Sequence, residues 1–176
     1  VIDRLGWECA DTEGRYIQVD IGELSVVSLY LPSGSSGDER QQKKFEFMRK
    51  YRRVLAEQMN SGRSVIVCGD WNIVHTEKDI KNFKSNQKTS GCLPEEREWL
   101  DELVAAGQWV DAFRVINQEP HQYTWWSNRG RAWDNNVGWR IDYQMITPNL
   151  QKQVKSVSIY KEQRFSDHAP LIVDYA

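Results

Sequence analysis

The spacing of apolar residues along the chain predicts strands near both ends and helices between them. Apolar and polar residues alternate through residues 15–20 and again through residues 24–31, which predicts two strands joined at a tight turn at Gly22. Residues 64–68 form a short, continuous apolar run that is typical of a strand buried on both faces. Three further strands are predicted toward the C-terminus, at residues 139–146, 154–160 and 170–175.

Two long helices and one short helix are predicted between these strands. The first begins at Asp38, which is expected to cap it, and ends at Gly62. The second begins at Pro94 and ends at Gly107, and a short helix is predicted at residues 111–116. The apolar stripe of the first helix comprises Phe45, Met48, Tyr51 or Arg52, Leu55 and Met59. This order of elements predicts a layered α/β domain with mostly antiparallel strand pairing.

Composition narrows the class of protein without identifying it. A chain of 176 residues with 40% hydrophobic and 27% charged residues fits one globular domain. No apolar run approaches the roughly 20 residues that a membrane-spanning helix needs, so no membrane association is expected. The net charge of -2 argues against binding of nucleic acid by bulk charge alone. The 3 cysteines lack C-x-x-C spacing, which argues against structural zinc or disulfides and favours a cytoplasmic protein.

Polar residues follow several of the predicted strands. Asp70 and Asn72 come directly after the buried strand, and carboxylate and amide oxygens suit a hard cation such as magnesium. Tyr30 lies near the end of an earlier strand, and the segment 136–142 brings an amide and an acid to another. Ser166-Asp-His168 precedes the last strand.

Each of these groups alone also fits an ordinary polar turn or a buried, hydrogen-bonded side chain. Together they supply two acids, two amides, a histidine and a tyrosine, a set suited to phosphate-ester hydrolysis. That reaction needs a cation to neutralise charge, a base for water and donors for the phosphate oxygens.

The same segments resemble the signature sequences of the exonuclease III family of abasic-site endonucleases, within the endonuclease/exonuclease/phosphatase superfamily. The resemblance extends from about Asp11 to Tyr175, with the blocks in order and at family-like spacing. The blocks are Leu29-Tyr-Leu-Pro32, Gly69-Asp-Trp-Asn72, Leu93-Pro-Glu-Glu-Arg97, Asn136-Val-Gly-Trp-Arg-Ile-Asp142 and Ser166-Asp-His-Ala-Pro170. It implies an α/β fold of the deoxyribonuclease I-like, four-layer kind, a two-sheet sandwich flanked by helices.

The resemblance also implies roles for individual residues. Asp70 would act as a general base or handle the leaving oxygen's proton, and Asn72 would stabilise the transition state. Asp142 would orient His168, which would hold the scissile phosphate. The implied catalytic residues are Tyr30, Asp70, Asn72, Asp142 and His168. The implied metal site, for Mg²⁺ or alternatively Mn²⁺, comprises Asp70, Asn72, Asp167 and His168.

A further set is implied to contact DNA. Trp125, Trp139 and Ile141 would surround a flipped abasic sugar, although such tryptophans also serve as core residues. The segment that follows Asn72 would hold the DNA backbone, the alternative being a solvated loop. The candidate contacts that this segment's own residues supply are His75, Lys78, Asn82 and Asn86, whereas the resemblance implies that Asn136 would help to position the catalytic cluster.

Two strands that open the family's domain, one with an asparagine and one with a metal-binding glutamate, have no counterpart in this sequence. The chain is therefore expected to be a single catalytic domain, residues 1–176, that is incomplete at its N-terminus. The implied activity is hydrolysis of the phosphodiester 5′ to abasic sites in double-stranded DNA, with 3′-phosphodiesterase or 3′→5′ exonuclease activity. A monomer in the nucleoid-associated cytoplasm is expected. The alternatives are another phosphoesterase or nonspecific deoxyribonuclease of the superfamily, and an inactive fragment that only binds DNA or a partner chain.

Overall fold

The computed structural model describes residues 1–105 and 107–176. Its strands are β1 (Tyr16–Ile21), β2 (Leu24–Tyr30), β3 (Ser64–Asp70), β4 (Val110–Asp111), β5 (Trp125–Trp126), β6 (Gly138–Trp139), β7 (Asp142–Ile146), β8 (Val154–Ile159) and β9 (Leu171–Tyr175). Its helices are α1 (Glu8–Thr12), α2 (Asp38–Asn60), α3 (Phe83–Asn86), α4 (Pro94–Ala105) and α5 (Ala112–Ile116), with 3₁₀ turns at Glu77–Asp79 and Pro148–Gln153.

The main sheet has five strands in the order β1-β2-β3-β7-β4. Strands β2 and β3 are parallel, whereas the other pairs in this sheet are antiparallel. Strands β5 and β6 form one two-stranded sheet, and β8 and β9 form another, both antiparallel. The predicted preponderance of antiparallel pairing is confirmed.

Strand β3 carries apolar side chains to both faces of the main sheet. Val65 and Val67 pack into a core shared with α2 and α4. Ile66 and Cys68 pack on the opposite side with side chains of β8 and β9. The two sheets therefore lie face to face, with helices on the outer face of the larger one. This confirms the expected α/β two-sheet sandwich flanked by helices.

The buried face of α2 differs in part from the predicted stripe. Met48, Tyr51 and Leu55 are fully buried, whereas Phe45 and Met59 are only partly buried. The remaining buried positions are Lys44, Phe47 and Gln58. The helix therefore buries a lysine and a glutamine that a purely apolar stripe leaves out.

Two predicted boundaries also differ from the structure. Asp38 is the first residue of α2 rather than its cap, since Gly37 is the N-cap and has a φ of 115° that glycine adopts readily. The strand predicted at 139–146 is divided, because Trp139 pairs with Trp125 in a separate sheet and β7 begins only at Asp142.

Within the described residues, no helix is both long enough and apolar enough to cross a membrane. Cys9, Cys68 and Cys92 are free thiols, as their spacing in the sequence predicts.

Candidate active site

Three neighbouring strand ends carry the first part of the site. In the parallel pairing of β2 with β3, Tyr30 lies beside Asp70, and in the antiparallel pairing of β3 with β7, Asp70 lies beside Asp142. Residues that are paired directly across a sheet project to the same face. The register therefore places these three side chains in a row at one edge of the sandwich.

The backbone on either side of Asp70 fixes the direction of its side chain. Gly69 has a φ of 137°, and a Cβ at this position would lie 1.9 Å from the Leu29 carbonyl oxygen, so only glycine fits. Trp71 is fully buried and packs edge-on against Tyr51 and Tyr143. A buried tryptophan between two polar residues thus anchors the end of β3.

Asn72 turns back toward Asp70. Its φ of 52° is left-handed, a conformation that asparagine tolerates better than most residues. Its backbone N–H donates to Asp70 Oδ1 at 2.8 Å, and its side-chain Nδ2 donates to Asp70 Oδ2 at 3.1 Å and to the Leu31 carbonyl at 2.8 Å. The carboxylate and the amide that the sequence pairs at i and i+2 are therefore in direct contact.

His168 reaches the same edge from the loop that precedes β9. Its Nδ1 lies 2.9 Å from Asp142 Oδ2, a hydrogen bond that fixes the orientation of the imidazole. Thr124 bonds the backbone at Asp142 and next to His168, because its Oγ1 accepts from the Asp142 N–H at 3.2 Å and its carbonyl accepts from the Ala169 N–H at 2.8 Å. Thr124 was not identified from the sequence, where nothing distinguishes it from an ordinary loop threonine.

Asp70, Asp142 and His168 form one compact group. Their potential ligand atoms all lie within 4.8 Å of one another. Burial and the neighbouring Asp142 raise the pKa of Asp70 to about 7. Burial opposes protonation of His168, but the hydrogen bond and charge of Asp142, together with Asp70 and Asp167, raise its pKa overall. The two carboxylates therefore favour a nearby positive charge, whether a protonated His168 or a bound cation.

This donor set fits a divalent metal ion. Two carboxylates are ligands that Mg²⁺ and Mn²⁺ prefer, and an imidazole nitrogen is compatible with a transition metal such as Mn²⁺. Burial is the main cause of the raised pKa of Asp70, and the neighbouring carboxylate of Asp142 raises it further.

Two residues of the predicted set have other partners in the structure. Asp167 Oδ2 accepts from the Trp125 indole Nε1 at 3.0 Å, and Asp167 is not part of the acid group. Asn136 accepts from Trp126 Nε1 at 3.1 Å and donates to the His121 carbonyl at 3.3 Å. Adjacent side chains diverge, so Asp167 faces Trp125 while His168 faces Asp142.

The residues expected to surround a sugar lie together. Trp125 and Trp139 are paired across β5 and β6, and their rings meet edge to face with centroids 6.0 Å apart. Both tryptophans are half-buried and pack with the buried Ile141 in one apolar cluster. Trp125 also adjoins the acid group through its backbone bridge to His168.

The expected DNA-backbone contacts have local partners of their own. His75 Nε2 lies 2.7 Å from Asp101 on α4, and Lys78 Nζ donates to the Gln118 carbonyl at 3.1 Å. Asn86 Nδ2 donates to the Asn82 carbonyl at 2.7 Å, and the Asn82 side chain is exposed. A cavity of about 1210 Å³ runs beside this segment, and another of about 320 Å³ lies at His168.

A buried ionic cluster lies beneath the same segment and was missed from the sequence. Asp79 is fully buried and accepts from Arg140 Nε at 2.8 Å and from Arg114 Nη2 at 2.7 Å. Arg140 is also fully buried, and its Nη2 lies 2.7 Å from Asp111 Oδ2. The Asp79 carbonyl further accepts from the Arg140 N–H at 2.7 Å. The segment is thus joined to the backbone between Trp139 and β7.

The fold is shared with proteins whose structures are known. A solved AP endonuclease from Archaeoglobus fulgidus has the same fold, with a TM-score of 0.86 at 24% identity, over 97% of this chain and 68% of that one. Sequence comparison identifies the family. The chain belongs to the endonuclease/exonuclease/phosphatase family, whose model matches residues 4–168.

Two curated relatives are similar over nearly the whole chain. An exodeoxyribonuclease from Bacillus subtilis is 36% identical over 97% of this chain, which spans 68% of the relative's length. The DNA repair nuclease APEX1 from Danio rerio is 33% identical over 95% of this chain, which spans 54% of the relative's length. The chain thus corresponds to about half to two thirds of these relatives.

Proposed function

We propose that this chain hydrolyses the phosphodiester 5′ to abasic sites in double-stranded DNA, with Mg²⁺, or alternatively Mn²⁺, as cofactor. The observation that carries the proposal is the convergence of Asp70, Asp142 and His168 within 4.8 Å, with Asn72 hydrogen-bonded to Asp70. Such a group offers metal ligands, a base and a phosphate donor at one edge of the fold. The names of the relatives, an exodeoxyribonuclease and a DNA repair nuclease, support the same chemistry.

Each side chain has a distinct part in this proposal. A bound divalent cation, held by Asp70 and Asp142, would neutralise charge that develops on the phosphate. Asp70, whose ionised form the bound cation would favour, would take a proton from the attacking water or manage the leaving oxygen. His168, oriented by Asp142 and with its pKa raised, would donate to a phosphate oxygen. Asn72 would stabilise the transition state by exchanging its Nδ2 bond to Asp70 for a bond to another phosphate oxygen.

The abasic preference would come from the aromatic cluster. Trp125, Trp139 and Ile141 offer an apolar surface next to the acid group, suited to a sugar that has lost its base. The exposed Lys78 and Asn82 would contact DNA phosphates, which position a duplex without reading its sequence. His75 and Asn86 are weaker candidates for direct contacts, because Asp101 and the Asn82 carbonyl engage them.

The remaining parts of the proposal concern the whole molecule. Residues 1–176 would form a single catalytic domain that is incomplete at its N-terminus, and it would act as a monomer, since an abasic site offers one scissile bond to one active site. Its place would be the nucleoid-associated cytoplasm, where the DNA substrate lies. A 3′-phosphodiesterase or 3′→5′ exonuclease activity would use the same site, because both reactions break a phosphate ester next to a DNA end.

The test is magnesium-dependent nicking of a duplex that contains one synthetic abasic site. We expect cleavage with Mg²⁺ and none with EDTA, and a loss of roughly 10²–10³-fold in kcat in His168→Ala. His121→Ala is the matched control, because His121 is bonded to Tyr123 and lies outside the acid group. Equal cleavage of an intact duplex would indicate a nonspecific deoxyribonuclease. Binding of DNA without cleavage would indicate a fragment that only binds.

A further inference from the structure

A buried ion pair joins the two long helices beneath the candidate active site. Lys44 on α2 and Glu96 on α4 meet with Nζ 2.6 Å from Oε1, and their side chains are 1% and 0% exposed. Charges are rarely buried in this way, because desolvation offsets most of their attraction. Two apolar side chains could fill the same space without the cost of desolvation. The charges of Lys44 and Glu96 are therefore explained by the further hydrogen bonds that the two side chains make.

The lysine bonds the turn that carries Asn72. Lys44 Nζ donates to the Asn72 carbonyl oxygen at 2.8 Å, from below the turn. The left-handed φ of 52° at Asn72 directs its amide toward Asp70 and its carbonyl toward α2. A carbonyl buried at this place requires a donor, and a lysine reaching from the helix supplies it.

The glutamate bonds the segment on the other side of the same carbonyl. Glu96 Oε2 accepts from the Gly91 N–H at 2.6 Å and from the Leu93 N–H at 3.0 Å. Gly91 has a φ of 90°, and a Cβ there would lie 3.0 Å from the Asn72 carbonyl oxygen and 3.1 Å from the Trp139 ring. The ion pair therefore holds the Asn72 turn and the segment packed against Trp139 at one fixed separation.

We propose that Lys44 and Glu96 are positioning residues that hold the Asn72 amide in the geometry needed for hydrolysis. Neither residue touches the acid group through its own side-chain bonds; they act through the Asn72 carbonyl and the Gly91 backbone. The kinetic consequence rests on the proposed function, whereas the structural consequence for Asn72 stands without it. Small misplacements of a reacting or stabilising group cost about 10²-fold in rate.

The decisive comparison is between Lys44→Met and the double variant Lys44→Met/Glu96→Gln. The single variant leaves Glu96 charged and buried without its cation, so both stability and kcat should fall. The double variant removes that unpaired charge and should recover most of the stability. Its kcat on abasic duplex should still be about 10–100-fold low with KM within about twofold, because the Asn72 carbonyl has lost its donor.

Lys43→Met/Glu39→Gln is the matched control. Lys43 and Glu39 form an exposed i,i+4 pair on the same helix, with side chains 52% and 84% exposed. We expect wild-type stability, kcat and KM. Recovery of kcat together with stability in the double variant at Lys44 and Glu96 would overturn the proposal, because a merely structural pair behaves in that way.

A second measurement is independent of catalysis. The side-chain NH₂ signals of Asn72 can be assigned in a ¹⁵N spectrum with an Asn72→Asp variant. They should shift in the double variant at Lys44 and Glu96 and stay unchanged in the control at Lys43 and Glu39. Unchanged Asn72 signals in both would contradict positioning. If the wild-type chain does not cleave abasic DNA, the proposed function fails, and these signals still decide whether the ion pair positions Asn72.

Discussion

Asp70 and Asp79 are two inward-facing aspartates of the same region with opposite electrostatic surroundings. Asp79 is fully buried between Arg140 and Arg114, and its carboxylate also accepts from the Thr76 N–H at 2.9 Å. Burial alone would raise the pKa of Asp79, but the two guanidinium groups outweigh it and hold the pKa well below its usual range.

Asp70 is half-buried and faces another acid. Burial and the charge of Asp142 raise its pKa to about 7, and the bond from the Asn72 N–H and the charges of His168 and Lys44 only partly oppose them. The Lys44 ammonium is itself paired with Glu96. Asp70 is therefore an acid whose ionised form the protein alone stabilises poorly.

On the proposed function, this difference in surroundings separates a structural acid, Asp79, from a catalytic one, Asp70. A carboxylate enclosed by cations is neutralised within the fold, so it holds elements together and has little left to offer a ligand. The ionised form of a carboxylate that lies beside another carboxylate is stabilised when a cation binds between them. Metal sites and catalytic acids are arranged in this way. Sequence proximity and residue type do not distinguish the two; their neighbours do.

The largest effect is expected at Asp79. Asp79→Ala leaves Arg140 and Arg114 without their shared carboxylate, and loss of one partner of a buried ionic cluster costs about 3–5 kcal/mol of unfolding free energy. Urea unfolding followed by tryptophan fluorescence measures this loss. Asp134→Ala is the control, because Asp134 pairs with Arg131 at the surface and should cost less than about 1 kcal/mol. Equal losses in the two variants would remove the structural role of Asp79.

Asp70→Asn should lower activity without lowering stability, in contrast to Asp79→Ala. The substitution keeps the shape of the side chain and removes a charge that the fold disfavours, so the unfolding free energy at pH 8 should stay level or rise. Cleavage of abasic duplex should fall by roughly 10²–10³-fold, the usual effect of removing one preorganised catalytic group. A variant that unfolds as readily as Asp79→Ala would show that Asp70 is structural as well.

Much of the candidate active site could be predicted because its signals are local. Asp70 and Asn72 directly follow a continuous apolar run, Asp142 lies within the strand predicted at residues 139–146, and His168 precedes the last predicted strand. Strand ends that share one edge of a sheet bring such residues together whatever the details of packing. The side-chain direction of Asp167 was not predictable, because it depends on the bridge between the loop and Trp125.

The ionic clusters were missed because their partners are distant in sequence. Asp79 bonds Arg114 and Arg140, and no periodicity links these positions. Burial of Arg140 in this cluster also accompanies the break between β6 and β7, where alternation alone predicted one continuous strand.

Lys44 and Glu96 did leave a signal. Lys44 precedes Met48, Tyr51 and Leu55 at helical steps, and Glu96 precedes Trp99, Leu100 and Leu103 in the same way. Opposite charges on the apolar stripes of two helices indicate a buried ion pair.

The smallest effect concerns the dependence of stability on pH. Asp79 has a lowered folded pKa, so its contribution is fully present above the unfolded value of about 3.9 and is lost only as the pH falls below it. Asp70 has a folded pKa raised to about 7, so the folded state binds more protons than the unfolded state between about pH 4 and 7. Stability should therefore decline as the pH rises through this window. His168 also has a raised folded pKa, so it contributes stability that is lost as the pH rises through that pKa. Its effect therefore has the same sign as that of Asp70.

Comparison of wild type with Asp70→Asn isolates the contribution of Asp70. Between pH 5 and pH 8 the wild-type unfolding free energy should fall more steeply than that of the variant, by about 2–3 kcal/mol. Millimolar Mg²⁺ should reduce the wild-type decline, since a cation that binds only the folded state stabilises it, and should affect Asp70→Asn less. Thermal and urea unfolding across this range measure both effects. Parallel curves for the two proteins, with and without Mg²⁺, would mean that Asp70 is as well neutralised within the fold as Asp79, and the contrast between the two aspartates would disappear.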